Sequence, residues 1–381
     1  MGPVQLPVNP PVAPMLAKPV AEVPPGAFYE PKWDGFRSIV FRDRDQVEIG
    51  SRNERPMTRY FPELVAAIKV NLPPRCVVDG EIVVANPDGQ GLDFWALQQR
   101  IHPAASRVEM LAEQTPASFI AFDLLALDET NYMPRPFSER RTALERTLAS
   151  AAPPIHLTPI TQDLVLAQRW FELFEGAGLD GLIAKPAELT YQPNKRVMAK
   201  IKHVRTADCV VGGYRVHKTD RNAVGSLLLG LYDHPEDPVV PAEIREWTSG
   251  SLLAPVGVVG AFPMARRREL FTELQALVTD FDDHPWSWAG DETTGRTIDG
   301  PGSRWNAAKD LSFVPLRPER VIEVRYDYME GHRFRHTAQF VRWRPDRDPT
   351  TCSYEQLDRP VPFDLAEILA GRVSYPDQAD S

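Results

Sequence analysis

The chain has 381 residues, 43% hydrophobic and 25% charged, which places it among soluble globular proteins long enough for two domains with cores of their own. Its net charge of −9 excludes an overall basic coat for nucleic acid, and its three scattered cysteines exclude a zinc knuckle or a disulfide framework. No apolar run is long enough to cross a bilayer and no basic-then-apolar lead opens the chain, so the reading is a cytoplasmic protein with no membrane partner.

"MGPVQLPVNPPVAP" reads as a proline-rich, extended leader over residues 1–12 that stays out of the core. Strands "FRSIVFRD" and "QVEIGSRN" then flank a polar turn, and "MTRYFPELVAAIKV" has helical spacing up to Pro73-Pro74. A strand, "CVVDGEIVVAN", a helix, "LDFWALQQRI", and an apolar strand, "FIAFDLLALD", follow. Two amphipathic helices, "SERRTALERTLAS" and "DLVLAQRWFELFEGAG", bracket another strand, and glycines after the second suit a left-handed C-cap. Strands "GLIAKPAEL" and "RVMAKIKHV" close a larger α/β domain, placed at 13–204. Beyond it, "CVVGGYRVH", "GSLLLGLYDH", "PVGVVGAF", "VIEVRYDYMEG" and "RFRHTAQFVRWR", with one helix, "ARRRELFTELQALVTDF", predict a small OB-like β-barrel over 205–349. Residues 350–381 read as a C-terminal tail.

Chemistry concentrates in short stretches. In "YEPKWDGFR", Lys32 is framed by a proline and an Asp-Gly turn; alone, this could be a turn with a solvated lysine. In "VVDGEIVV", Asp79 and Glu81 are two apart and share one face of an apolar strand, where buried acids need a cation, a metal or a hydroxyl. "MAKIKHV" projects Lys200 and Lys202 from one face, which an edge strand guarded by lysines would also do. "DGLIAKP" adds Asp180 and Lys185, and Phe122 lies in an apolar strand. Residues 332–347 carry five arginines against one acid, and "ARRRE" adds three more, while acids gather in "DFDDHP", "PEDP" and the tail. Phosphate binding needs such local clusters rather than a positive total. A nucleophilic lysine, cations for a phosphoryl group and acids for a divalent metal together suit nucleotidyl transfer through a lysine phosphoramidate.

In order, "EPKWDGFR", "SRN", "VVDGEIV", "FIAFDLL", "DGLIAK", "MAKIK" and "FVRWRPDR" resemble the collinear motifs of covalent nucleotidyltransferases, over about residues 13–348. The chain looks most like the ATP-dependent DNA ligases of the small bacterial LigC type; RNA ligases and mRNA-capping guanylyltransferases are the alternatives. The resemblance implies an α+β nucleotidyltransferase domain, with antiparallel sheets flanked by helices, followed by a β-barrel OB-fold domain. It implies that Lys32 takes AMP, that Glu30 and Pro31 contact adenine, and that Arg37 lies near ribose and phosphates. Arg52 then grips a nick 5′-phosphate, Phe122 stacks on adenine, Lys200 and Lys202 meet the α-phosphate, and Arg342 and Arg344 orient pyrophosphate. Glu81, Asp180 and Asp34 are the implied acids for Mg²⁺ or Mn²⁺, Glu81 also lying near the ribose. Departures are Asp180 where Glu is usual, Met198 where Trp is frequent, and Arg347 where Lys is usual. ATP is the implied co-substrate and nicked duplex DNA the partner. Association with Ku or primase-polymerase repair proteins, a monomeric state and a nucleoid location are further expectations from the resemblance.

Overall fold

Among the described residues, ten strands and five α-helices build the first part of the chain. They are β1 (Leu16–Pro19), β2 (Ala27–Pro31), β3 (Phe36–Asp43), β4 (Gln46–Ser51), α1 (Pro62–Asn71), β5 (Arg75–Val83), α2 (Phe94–Gln99) and α3 (Ala105–Gln114). There follow β6 (Ser118–Leu127), β7 (Thr130–Asn131), α4 (Phe137–Thr147), β8 (Ile155–Leu157), α5 (Leu164–Leu173), β9 (Leu182–Pro186) and β10 (Arg196–Ile201). The computed structural model describes residues 4–89, 91–234, 238–245, 253–282, 284–289, 312–357 and 363–372. Glu236, Asp237 and Asp283 of the expected acidic clusters, and most of the last residues, lie outside them.

Two sheets form this unit, one ordered β1-β10-β9-β2 and one ordered β4-β3-β5-β6-β7, with β8 added parallel to β6. Strand β5 shows how a period of two divides the second sheet. Val78 and Ile82 join Leu64 and Ile68 of α1 in one core cluster, whereas Val77 and Val83 pack into clusters on the opposite face. Asp79 and Glu81 share that opposite face, as the alternation requires.

Local chemistry sets the helix ends. Helix α1 starts at Pro62, where a missing N–H costs nothing, rather than at Met57 as the spacing suggests. Asp163 caps α5 through the N–H groups of Val165 and Leu166, and Gly178 ends the following 3₁₀ turn with φ 74°. Helix α3 has no counterpart among the expected elements; its N-terminus lacks a side-chain cap.

The leader is a correction. Val4, Leu6 and Val8 are buried in the cluster that holds Ile39, Phe41 and Val77. The reason is visible in "VQLPV", whose apolar residues alternate as an edge segment's would. The segment is tied by Gln5 N–H to Asp43 Oδ2 at 2.9 Å and by Arg75 Nη2 to the Gln5 carbonyl at 2.9 Å.

A second unit spans His203–Arg359. Its elements are β11 (Arg205–His217), β12 (Asp220–Tyr232), α6 (Ala242–Arg245), β13 (Leu253–Val259), α7 (Met264–Leu274), β14 (Val314–Pro315), β15 (Val321–Tyr326), β16 (Met329–Glu330), β17 (Arg333–Phe334) and β18 (Gln339–Trp343). The ladder runs β13-β12-β11-β15-β18, with β14 on β11, around Val210, Leu227, Leu229, Trp286 and Ile322. Its two ends meet through the isolated bridge Val259–Ala338, where Ala338 N–H donates to the Val258 carbonyl at 2.9 Å. The OB barrel is therefore partly open rather than closed by a continuous ladder, and "RFRHTAQFVRWR" is split between β17 and β18.

The expected tail divides in two. Residues up to 357 continue the second unit, with Tyr354 buried in its core. Helix α8 (Leu365–Leu369) then returns to the first unit, which comprises Met1–Lys202 and Pro360–Ser381. Leu365 and Ile368 share a cluster with Trp170 and Phe174, Phe363 N–H donates to the Gly176 carbonyl, and His156 Nδ1 donates to the Leu369 carbonyl at 3.2 Å.

Candidate active site

Both sheets of the first unit contribute to a cavity of about 200 Å³. Strand β2 supplies Glu30 and Pro31, with Lys32 one residue beyond its end; β3 supplies Arg37, β5 Glu81, β6 Phe122 and β10 Lys200. Arg52 lines it from just after β4 and is exposed. Ile183 and Lys185 of β9 and Arg196 and Met198 of β10 complete much of the wall.

The backbone of Lys32 is held on both sides. Its N–H donates to the Gly181 carbonyl at 2.8 Å, and its carbonyl accepts from Asp180 N–H at 3.2 Å. Trp33 is buried and donates Nε1 to Thr158 Oγ1 at 2.9 Å. Gly35 has no space for a Cβ, which would strike the Ile82 carbonyl, so the last residue of K-x-D-G must be glycine for β3 to approach β5. A turn so fixed delivers one side chain to one place.

At that place Lys32 Nζ meets Asp180 Oδ2 at 2.5 Å, and Lys202 Nζ meets the same oxygen at 2.8 Å. Burial lowers the pKa of Lys200, and the charges of Lys202 and Lys32 lower it further. Three ammonium groups thus converge where a phosphoryl group would gather charge.

Asp79 is buried and spoken for. Arg37 grips it from Nε and Nη2 at 2.7 Å each, and Tyr191 donates its hydroxyl at 2.7 Å. Desolvation works against the Arg37 charge, but Asp79 more than offsets it and raises the pKa. The same guanidinium lies 4.2 Å from the centre of the Phe122 ring. Among the described residues Glu81 has no such hydrogen-bond partner: burial pushes its carboxyl up to about 7, against the pull of Arg37 and Lys32.

Among the described residues no three acids, histidines or cysteines converge as a metal-binding group. The donor set still fits Mg²⁺, which keeps several waters and needs only one or two carboxylates beside substrate phosphates. Asp180, beside the lysines, and Glu81 are placed for that. Asp34, Asp180 and Lys202 do not themselves line the cavity; Asp180 meets Lys32 at its wall, and the charge of Asp34 reaches Glu81.

Arg342 and Arg344 belong to the second unit, where acids already engage them. Arg342 Nε pairs with Glu323 at 2.6 Å. Arg344 pairs with Asp208 and Asp346, both at 2.9 Å, and its hydrogen bond brings the Asp346 carboxyl down to about 2. The arginine-rich run is thus largely compensated, as is Arg266 of α7 by Glu269 and Glu273.

Two more side chains line the cavity: Lys185, which the sequence offered without a role, and Arg196, which it did not single out. Lys185 is buried, with Nζ 2.7 Å from Glu30 Oε2 and 4.9 Å from the Phe122 ring centre. Alternation along "LIAK" puts Lys185 on the same face as Ile183. Arg196 is one turn of alternation before Met198 and two before Lys200.

Residues 14–202 match the ATP dependent DNA ligase domain, and residues 220–347 match the ATP dependent DNA ligase C terminal region. DNA ligase C of Mycobacterium tuberculosis is 66% identical over 373 residues, 97% of this chain and 99% of that protein. DNA ligase C2 of Mycolicibacterium smegmatis is 67% identical over 360 residues, 94% and 97% of the respective chains. Among solved structures, a Lig E DNA ligase shares the fold with TM-score 0.51 at 15% identity, over 87% of this chain and 99% of that one. With motif order, cavity and near full-length identity in agreement, the chain belongs to the bacterial ATP-dependent DNA ligases of the LigC type.

Proposed function

We propose that Lys32 is the nucleophile of a three-step nick-sealing reaction. Its neutral amine attacks the α-phosphorus of ATP; an N–P bond forms, the P–O bond to pyrophosphate breaks, and the amine proton is released. AMP then passes from Lys32 to the 5′-phosphate of a nick, and the adjacent 3′-hydroxyl displaces AMP to join the strand. The observation that carries this reading is the locked backbone of Lys32, which presents Nζ to Asp180 beside Lys200 and Lys202. Mg²⁺ or Mn²⁺, held by Asp180 and Glu81 with the nucleotide phosphates, would supply charge neutralisation at the α-phosphate.

In this reading Glu30 and Pro31 meet the base, Phe122 stacks on it, and Glu81 and Arg37 face the ribose. Lys200 and Lys202 take the α-phosphate, Arg52 and Arg196 a nick 5′-phosphate, and Arg342 and Arg344 of the OB unit the pyrophosphate. Asp34 is the third acid for the metal and adds to the field at Glu81. The protein acts as a cytoplasmic, nucleoid-associated monomer. Its likeness to Mycobacterium bovis LigD, named as a non-homologous end joining protein and 34% identical over 209 residues, 25% of that protein, supports a role in repair. Ku or primase-polymerases are the partners this reading would give it. Label transfer tests the chemistry. α-Labelled ATP, but not GTP, should label the protein, Lys32→Ala should abolish the label, and nicked duplex should discharge it. Labelling by GTP would instead support a capping-type guanylyltransferase.

A further inference from the structure

Glu30 lines the nucleotide cavity yet is only 2% exposed. Lys185 holds its Oε2 at 2.7 Å, while its Oε1 is buried with no hydrogen-bond partner. From α4, Arg141 brings Nη1 to 3.9 Å from that oxygen, and this Nη1 is unpartnered as well. The rest of the guanidinium is fixed: Nε donates to Glu145 at 2.7 Å and Nη2 to the Thr158 carbonyl at 2.9 Å. Arg141 is itself buried, so its positive charge stands at a set distance from Glu30 instead of roaming the surface.

The charges facing Glu30 are Lys185 from β9, Arg141 from α4 and Asp123 from β6, the last gripped by Arg140 at 2.7 and 2.9 Å. Burial and the Asp123 charge raise the pKa of the Glu30 carboxyl, and the two cations hold that rise back. The form matters for base choice. A carboxylate accepts from the exocyclic amine of adenine, whereas at that same 6-position an oxopurine presents an acceptor; a neutral carboxylic acid could donate to that oxo group.

We propose that Arg141 is a positioning residue for base selection: with Lys185 it holds Glu30 as an ionised acceptor, which takes the 6-amine of ATP and disfavours a 6-oxopurine nucleotide. This rests on the assignment of the cavity to ATP. The test follows adenylation or inosinylation of the full-length protein with labelled ATP or inosine triphosphate from pH 6 to 9. Arg141→Gln keeps a donor for the Thr158 carbonyl and loses the charge; Arg141→Lys keeps a charge on a shorter side chain. At pH 7, Arg141→Gln should raise the KM for ATP about 10-fold. Without the cation Glu30 protonates at higher pH, so that deficit should fade toward pH 9 and the use of inosine triphosphate should rise toward pH 6. Arg141→Lys should move the acid limb in the same direction by less, and it carries the test should the glutamine variant not fold. A merely structural role would depress both nucleotides equally at every pH. Folded variants with the wild-type ratio and pH profile would overturn the proposal. Wild-type protein that takes no label from ATP would overturn the reading of the cavity instead.

Discussion

Glu81 is held at a cost to stability. Its carboxyl, raised by burial to about 7, stays protonated in the folded state between its ordinary range and neutrality, while the unfolded chain releases the proton there. Folding stability therefore falls as pH rises through that window, because the unfolded state binds fewer protons. The penalty above pH 7 is roughly 1–2 kcal/mol, since Glu81 retains some solvent access. Glu81→Gln should raise the Tm of the nucleotide-free protein at pH 8 with little change at pH 5, while lowering adenylation. An unchanged Tm difference across pH would remove this account. The sequence displays Asp79 and Glu81 as equals, two acids on one face. What separates them is distant in the chain: Arg37 and Tyr191 converge on Asp79 alone. Arg141 was illegible for the same reason, because only packing brings α4 to Glu30.

Strands were easier to read than their glycines. Strand patterning located β3, β5, β6 and β10, and alternation gave the face shared by Asp79 and Glu81. Gly35 looks like ordinary turn chemistry, yet its φ is not the point; the Ile82 carbonyl occupies the space of a side chain. Gly181 combines both demands, with φ +123° and the Ile201 carbonyl in the way of a Cβ. Gly35→Ala should force β3 from β5 and destabilise the protein by about 1–3 kcal/mol, measured by denaturant unfolding. A near-neutral change would mean the strands separate freely there, and the fixed delivery of Lys32 would lose its support. Helix α3 was missed because its first turn carries neither a side-chain cap nor an acid.

At the scale of the whole molecule, a large domain followed by a small barrel was legible, and the return of the chain was not. Nothing in the composition of residues 363–372 distinguishes a docked helix from a tail; Leu365 and Ile368 matter because Trp170 and Phe174 lie beneath them. Ending the chain at Leu357 should lower the Tm of the first unit by several degrees, through about 2–5 kcal/mol of lost apolar burial. The second unit should melt as before, so calorimetry of the full and shortened proteins would show one transition moved and the other unchanged. Equal shifts in both, or none, would count against the docking of α8.

The return of α8 also orders events at the ribosome. The chain leaves the nucleotide-binding unit at Lys202 and comes back only after Pro360, so the second unit is complete, and free to fold, before the first has received its last helix. A nascent chain stalled near residue 357 would carry every residue that lines the nucleotide cavity but not the segment that covers Trp170 and Phe174. Synthesis of α8 is thus the step that brings the chain back to the domain begun first.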